Sequence, residues 1–458
     1  MTRSLRTRLL AGLVPLILAV SGAGAFATPS TAVATAEAVT PALTSAQNAL
    51  VEKAAALGAT DIQARPGLNG GLLLGGKLQG AQFALAFPSS WNGEGLVYAH
   101  GYTTPGTPVA VAIDPVEKPG LLKEAYGQGF VVGHSAYDKA GLGVETGAVN
   151  TKRLRDLVAG LGAKTIYVAG DSMGGGIVVT LMETHPEAFA GGLARCGVVN
   201  SWQDMLVHLY DMRAAYAFLT RGTPYAYPET DLHRNVIAPE PPAGSDDATA
   251  QMYVFGQMMK MAGPPLALWA AAQKNPEGPE ARIVRQVTTI GGFDYDAASL
   301  TYPLVTATLA SEDLAKTAGG WIYGNQNRDF STPDMSPQEA KAINDGVQRV
   351  NADPAALAYL NRWHTATGKL KKPLLTMHNQ IDSLVPYSQE EAFARTVAKA
   401  GAQSNLAAYA LPPLKAPLPG GQEGYTHCGF TPAQTTAAWN ALRMWVETGR
   451  KPSADGVK

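Results

Sequence analysis

The chain is 458 residues long, with 36 Lys and Arg against 37 Asp and Glu and a formal net charge of −1. That balance argues against nucleic acid or a polyanionic partner, and a charged fraction of 16 % with 46 % hydrophobic residues indicates a large buried core. Past the N-terminus no segment is long and apolar enough to cross a bilayer, which takes about 20 residues.

In chain order, Arg3, Arg6 and Arg8 precede an apolar run over 9–20 and small residues ending in Ala25-Phe26-Ala27, the pattern of a secretory signal peptide. The run is too short for a retained span, so no stable membrane anchor is expected. Cleavage after Ala27 or after Ala36 fits, and residues 1–36 are set apart from the fold as signal and leader. The rest has neither a Gly/Ser linker nor an internal repeat, which favours one domain with a large insertion.

Residues 72–78 and 81–88 read as two early antiparallel strands, followed by a strand over 95–100 (GLVYAH), a short helix over 121–128 and a strand over 130–133. Over 145–161 the residues Val149, Leu154, Leu157, Val158 and Leu161 recur at helical spacing, with Lys152, Arg153 and Arg155 on the other side. The run over 165–169 (TIYVA) has the character of a buried parallel strand, and 173–182 continues as an apolar helix. Between them stands Gly170-Asp171-Ser172-Met173-Gly174. This is the setting of a nucleophile elbow, in which a serine occupies a strained strand-to-helix turn and the flanking glycines avoid collisions. Ser172 is therefore the candidate nucleophile. A chance match in a glycine-rich chain is the alternative; Gly133-His134-Ser135-Ala136-Tyr137 comes close to the pattern but lacks the closing glycine and the apolar helix.

Strands are expected over 191–199 and 373–377, and roughly 170 residues separate them, far more than an ordinary connection. That segment contains expected helices over 202–220, 248–261 and 337–350 and reads as a cap or lid over 201–370, inserted between core segments 37–200 and 371–458. A helix over 388–400, a strand over 405–411 and a helix over 431–447 complete the chain. The implied fold class is α/β, a mostly parallel sheet flanked by helices, with its site at the carboxyl ends of the strands.

A serine hydroxyl needs a base oriented by a carboxylate, and in elbow enzymes the chain order is serine, acid, histidine. Asp382 follows the strand over 373–377, and His427 follows the last strand. Asp382 as a helix-capping carboxylate is the plainer alternative. His185 sits near the end of the elbow helix, and His208, His233 and His364 fall in the insertion, where surface or packing roles are the default. No histidine pair has metal-ligand spacing, so neither a metal nor an organic cofactor is expected. Oxyanion donors are expected from the Met173 N–H and from Tyr102 N–H, with Gly101 as the fallback and His100 supporting their loop. Tyr137 either lines the pocket or packs. Met258 and Trp269, within a Met- and aromatic-rich stretch of the insertion, read as core or as an adaptable wall for an acyl or aromatic group.

The motifs HGY, GDSMGG, HNQIDSLVP and THCGF, in this order over most of residues 70–450, resemble the oxyanion loop, elbow, acid loop and histidine loop of the α/β-hydrolase superfamily. His427-Cys428-Gly429, followed by a helix running to 445–449 (WVETG), is further similar to the tannase and feruloyl esterase group. Those enzymes commonly join a cysteine beside the histidine to one beside the serine, and here Asp171 stands before Ser172 instead. Cys196 and Cys428 are the chain's two cysteines; an exported protein favours joining them, with Cys196 standing in for the missing partner, against two free buried thiols. The resemblance implies a secreted carboxylic ester hydrolase acting on a small-molecule or polymeric ester. An exported peptidase or amidase of the same fold, and a non-catalytic binding protein, are the rivals.

Overall fold

The computed structural model describes residues 42–458 apart from 364, 419, 420, 454, 455 and 458. The expected signal peptide, with its cleavage points at Ala27 and Ala36, and His364 lie outside the described residues.

Among the described residues nine strands form one sheet: β1 (Ala59–Pro66), β2 (Leu72–Leu78), β3 (Ala81–Phe87), β4 (Glu94–Ala99), β5 (Val131–Ser135), β6 (Thr165–Asp171), β7 (Gly191–Arg195), β8 (Leu374–Asn379) and β9 (Leu406–Leu411). Their spatial order is β1-β2-β3-β5-β4-β6-β7-β8-β9. The first three strands are antiparallel, as is the β3–β5 pair, and every pair from β5 through β4 to β9 is parallel. This is the α/β-hydrolase arrangement that the motifs imply. β6, which carries the elbow, sits near the middle.

The helices are α1 (Ser45–Ala56), α2 (Leu121–Gly127), α3 (Val144–Leu161), α4 (Met173–Thr184), α5 (Trp202–Leu219), α6 (Asp247–Lys274), α7 (Pro279–Gly291), α8 (Ala297–Ala318), α9 (Pro337–Gly346), α10 (Pro354–Trp363), α11 (Ser388–Lys399) and α12 (Pro432–Thr448). Alternation along the strands sorts them into layers. Val97, Val131, Val168, Ala194 and Leu374 bury against α3, α4 and α11, whereas Leu96, Val132, Tyr167, Leu193 and Leu375 face α2 and α12. Both sheet faces are covered, which is why β4, β6 and β8 read as continuous apolar runs.

Helices α5 to α10 lie between β7 and β8. Arg213 of α5 ties this helix to α8 and to the segment before α6 from a buried position: Nη1 donates to the Ala307 carbonyl (2.9 Å) and Ser311 Oγ (2.7 Å), and Nη2 to the Asp231 (2.9 Å) and Arg234 (2.8 Å) carbonyls. A buried cation is tolerable only with its donors satisfied in this way.

Three boundaries differ from the sequence reading. β7 stops at Arg195 rather than continuing to 199, because Cys196 takes φ 45° and turns the chain out of the sheet. α6 runs to Lys274, through Pro264 and Pro265, because Pro265, Leu268, Trp269 and Ala272 are buried against its neighbours and packing outweighs two lost ladder bonds. α9 ends at Gly346, short of 350. Helices α1, α7, α8 and α10 and strand β1 are elements the sequence reading did not anticipate.

Candidate active site

Thr165–Asp171 delivers Ser172 to the carboxyl edge of the sheet in a conformation side chains rarely adopt, φ 57° and ψ −122°. The turn is held from both sides. Ser172 N–H donates to the Arg195 carbonyl at 3.0 Å, and its own carbonyl accepts from Gly175 N–H at 3.0 Å and Val198 N–H at 3.3 Å. A Cβ on Gly174 would run into the Ala99 carbonyl, and one on Gly170 into the Gly174 carbonyl, so the two flanking glycines are steric requirements. Strain of this kind persists only where the surroundings over-determine it.

β8 carries the chain to Asp382, which is 4 % exposed. Its Oδ1 accepts from the Leu384 and Val385 N–H groups, both at 2.9 Å, and its Oδ2 from Cys428 N–H at 3.1 Å. His427 Nδ1 donates to the same carboxylate, 2.8 Å from Oδ1 and 2.9 Å from Oδ2. Burial alone would push the Asp382 carboxyl up, but His427, His378 and the Leu384 N–H outweigh it and hold the group below the ordinary carboxylate value. With Nδ1 committed to an anion, His427 Nε2 is left as the nitrogen able to accept a proton.

The two cysteines form a disulfide, with Cα atoms 5.2 Å apart. Asp171 pairs with Arg195 across β6 and β7, so Cys196 comes directly after the residue opposite the one before Ser172. The bond thus ties the neighbour of the elbow to the residue following His427. Cys196 and Cys428 both have positive φ, 45° and 60°, so strained backbone recurs at either end of the link. Cys428 Sγ lies 3.5 Å from His427 Nε2. The two sulfurs and the imidazole cluster as metal ligands would, but sulfurs joined to each other are not thiolates. Among the described residues no hydrogen bond joins Ser172 Oγ to His427.

Asp171, the residue before Ser172, points to the other sheet face. Arg195 Nε and Nη2 donate to its two oxygens at 2.6 Å each, and Nη1 donates to Thr435 Oγ1 at 3.0 Å, which fastens the elbow to the first turn of α12.

On the oxyanion side, the loop after β4 lies against the serine: a Cβ on Gly101 would stand 3.4 Å from Ser172 Cβ and 3.9 Å from Oγ. Met173 opens α4, and the N–H groups of a helix's first turn have no partner within the helix. Tyr137 buttresses this loop. Its ring stacks on His100 at 3.8 Å and its hydroxyl donates to the His100 carbonyl at 3.0 Å, while His100 Nδ1 lies 2.8 Å from the Gly101 carbonyl.

A cavity of about 40 Å³ adjoins Ser172, lined by Tyr102, Met205, Leu206, Leu209, Ala310 and Leu314 among others. Tyr137, Met258 and Trp269 do not line it. Tyr137 is spent on the loop, Met258 Sδ receives the Thr104 hydroxyl at 3.5 Å, and Trp269 packs with Tyr295 in the core of the insertion. The wall comes instead from α5 and α8, whose apolar residues look like ordinary helix core in sequence. Asn379, also unforeseen, donates to the Pro412 (2.8 Å) and Gly429 (2.9 Å) carbonyls and so joins the acid strand to the histidine loop. Its place at the end of a buried strand was the available signal.

No protein-family model matches the chain, and no curated protein does. Solved structures similar to it include feruloyl esterase B from Aspergillus oryzae (14 % identity, TM-score 0.42, 89 % of this chain and 91 % of that one). A second esterase from Aspergillus oryzae gives 14 % identity and TM-score 0.43 over 83 % and 80 % of the two chains. The rice cell wall degrading esterase LipA from Xanthomonas oryzae gives 11 % identity and TM-score 0.37 over 80 % and 88 %. Likenesses this distant carry no argument about activity; the fold rests on the strand order and the elbow.

Proposed function

We propose that this chain is a secreted carboxylic ester hydrolase working through Ser172, His427 and Asp382. The observation that carries the reading is a strained serine at an elbow whose neighbouring strand β7 runs into a cysteine disulfide-bonded to the residue after a histidine, the Nδ1 of that histidine being held by a buried carboxylate. Ser172 Oγ attacks the ester carbonyl carbon while His427 Nε2 takes its proton. Met173 and Tyr102 N–H groups stabilise the oxyanion, a contribution of about 3 to 4 kcal/mol per donor in measured cases. Collapse of the tetrahedral intermediate expels the alcohol, which receives the proton from His427, and leaves the acyl group on Ser172. Water, activated by the same histidine, then releases the acid.

Helices α5 and α8 act as a cap whose apolar side chains line an acyl slot over Ser172. The chain's own groups complete this chemistry without a metal or organic cofactor. Turnover of p-nitrophenyl acyl esters against aminoacyl anilides tests the reading. Anilide cleavage at comparable kcat/KM would make the protein a peptidase, and absence of both activities and of fluorophosphonate labelling at Ser172 would leave a binding protein.

A further inference from the structure

Behind Asp382 lies a second histidine–carboxylate pair that the chemistry above does not use. His378, near the end of β8, is fully buried, and its Nε2 donates to the Val385 carbonyl at 2.9 Å, so this nitrogen carries a hydrogen. The same Nε2 is 3.9 Å from Asp382 Oδ2, and Nδ1 on the far side of the ring is 3.5 Å from Glu390 Oε1. Glu390 is itself 3 % exposed, and one of its oxygens accepts from Thr376 Oγ1 at 2.7 Å. His378 Nδ1 and Glu390 Oε1 face each other, and neither has a hydrogen-bond partner elsewhere. Buried polar atoms are seldom left so.

A bare nitrogen lone pair against a buried carboxylate is repulsive, whereas one proton shared between the two atoms satisfies both. That proton belongs on the ring for two independent reasons. Glu390 lies in the first turn of α11, where the helix N-terminus favours an anion. Asp382, on the opposite side of the imidazole, favours a cation. We propose that His378 is an imidazolium held by Glu390, and that its charge, facing Asp382, limits how strongly that carboxylate retains a proton on His427. Both are positioning residues. The proposal rests on the roles assigned above to Asp382 and His427.

Burial pulls the imidazole down, but the Glu390 hydrogen bond, the Asp382 and Glu390 charges and the Val385 carbonyl together raise it above its ordinary value. From the turn before α11, Tyr387 presents its ring edge-on at 6.0 Å. His427 lies across Asp382. On β7, Arg195 stands opposite Met377 and is committed to Asp171, and on β9 the residue paired with His378 is Ala410, which bears no charge.

The test uses the full-length exported protein labelled with 15N-histidine, the His378 signals being assigned by their loss in His378→Gln. At pH 7 both His378 ring nitrogens are expected to be protonated. In Glu390→Gln the amide can donate to Nδ1, so the ring becomes the neutral Nε2–H tautomer in an unchanged fold. The acid limb of kcat/KM for a p-nitrophenyl ester then rises by about half to one pH unit, because the positive end of the pair no longer opposes Asp382. A wild-type His378 with one unprotonated ring nitrogen at pH 7 overturns the proposal even if Glu390→Gln does not fold. An unmoved acid limb in a folded Glu390→Gln overturns it too. Hydrolysis retained by Ser172→Ala would instead sink the triad and leave the spectroscopic result standing.

Discussion

Cys196 and Cys428, 232 residues apart in the chain, are bonded between the strand that borders the Ser172 elbow and the loop that carries His427. Closing so long a loop removes about 5 kcal/mol of unfolded-state entropy before strain is counted. A Cys196→Ser/Cys428→Ser variant is expected to melt at lower temperature. It should also lose kcat while still folded, since His427 is no longer restrained beside the elbow. Intact-mass analysis after alkylation, with and without reductant, checks the premise; two alkylated thiols without reductant would reject it.

If Ser172 is the nucleophile proposed above, Ser172→Ala should lower kcat by roughly six orders of magnitude with the fold intact, the loss measured for subtilisin's serine. Ser172→Gly should be equally inactive yet more stable than the alanine variant by about 1 kcal/mol, because glycine adopts positive φ without strain. Paired thermal melts of the two variants decide this. Equal stabilities would mean that the elbow stores no strain.

Asp382→Asn should cost about 10⁴ in kcat, since an amide favours the wrong imidazole tautomer. It should also destabilise the fold, because the amide NH2 meets either the Leu384 and Val385 N–H groups, in place of Oδ1, or the Cys428 N–H group, in place of Oδ2. The native carboxyl is held low, so its stabilisation is present above the unfolded value and lost as pH falls through the folded one. A variant with near-normal turnover would move the acid elsewhere.

His134 on β5 predicts an acid-lability window. Burial first and the neighbouring His100 second lower its pKa to about 4, and its Nε2 has no hydrogen-bond partner. Between the ordinary imidazole value and pH 4 the unfolded chain binds a proton that the folded one refuses, so stability falls as pH falls, by roughly 3 kcal/mol across the window. Urea titrations at pH 7 and pH 4.5 should show this loss, and His134→Gln should flatten it. An unchanged pH slope in the variant would assign the lability to other groups.

Leu314→Ala, at the wall of the cavity beside Ser172, should shift preference toward longer acyl chains. An added methylene in such a slot is worth about 1.4 kcal/mol, so the propionate-to-acetate ratio of kcat/KM is expected to rise about tenfold. A ratio unchanged by the mutation would place the acyl group elsewhere.

The central sheet and the elbow were legible because their signals are local. TIYVA followed by GDSMG carries strand, turn and helix within a dozen residues, and Asp382 and His427 each follow an apolar run that ends at the sheet edge. What escaped depends on packing across distance. Pro264-Pro265 reads as a helix stop until α6 is seen packed against α7 and α8, and the cavity wall on α5 and α8 has no periodicity to set it apart from core. The facing of His378 and Glu390 is set by how α11 docks on β8, which no local pattern encodes. Met258 and Trp269 drew notice by composition alone, and composition does not say which way a helix face turns.

Because Gly174 lies against the Ala99 carbonyl with no side chain between, the height of the serine above the sheet is set by main chain pressing on main chain. No exchange of one residue for another at the surrounding positions can act as an adjusting screw on that distance. Diversification of such a scaffold is therefore confined to the inserted helices, which can be rebuilt, lengthened or traded wholesale while the serine oxygen keeps its place.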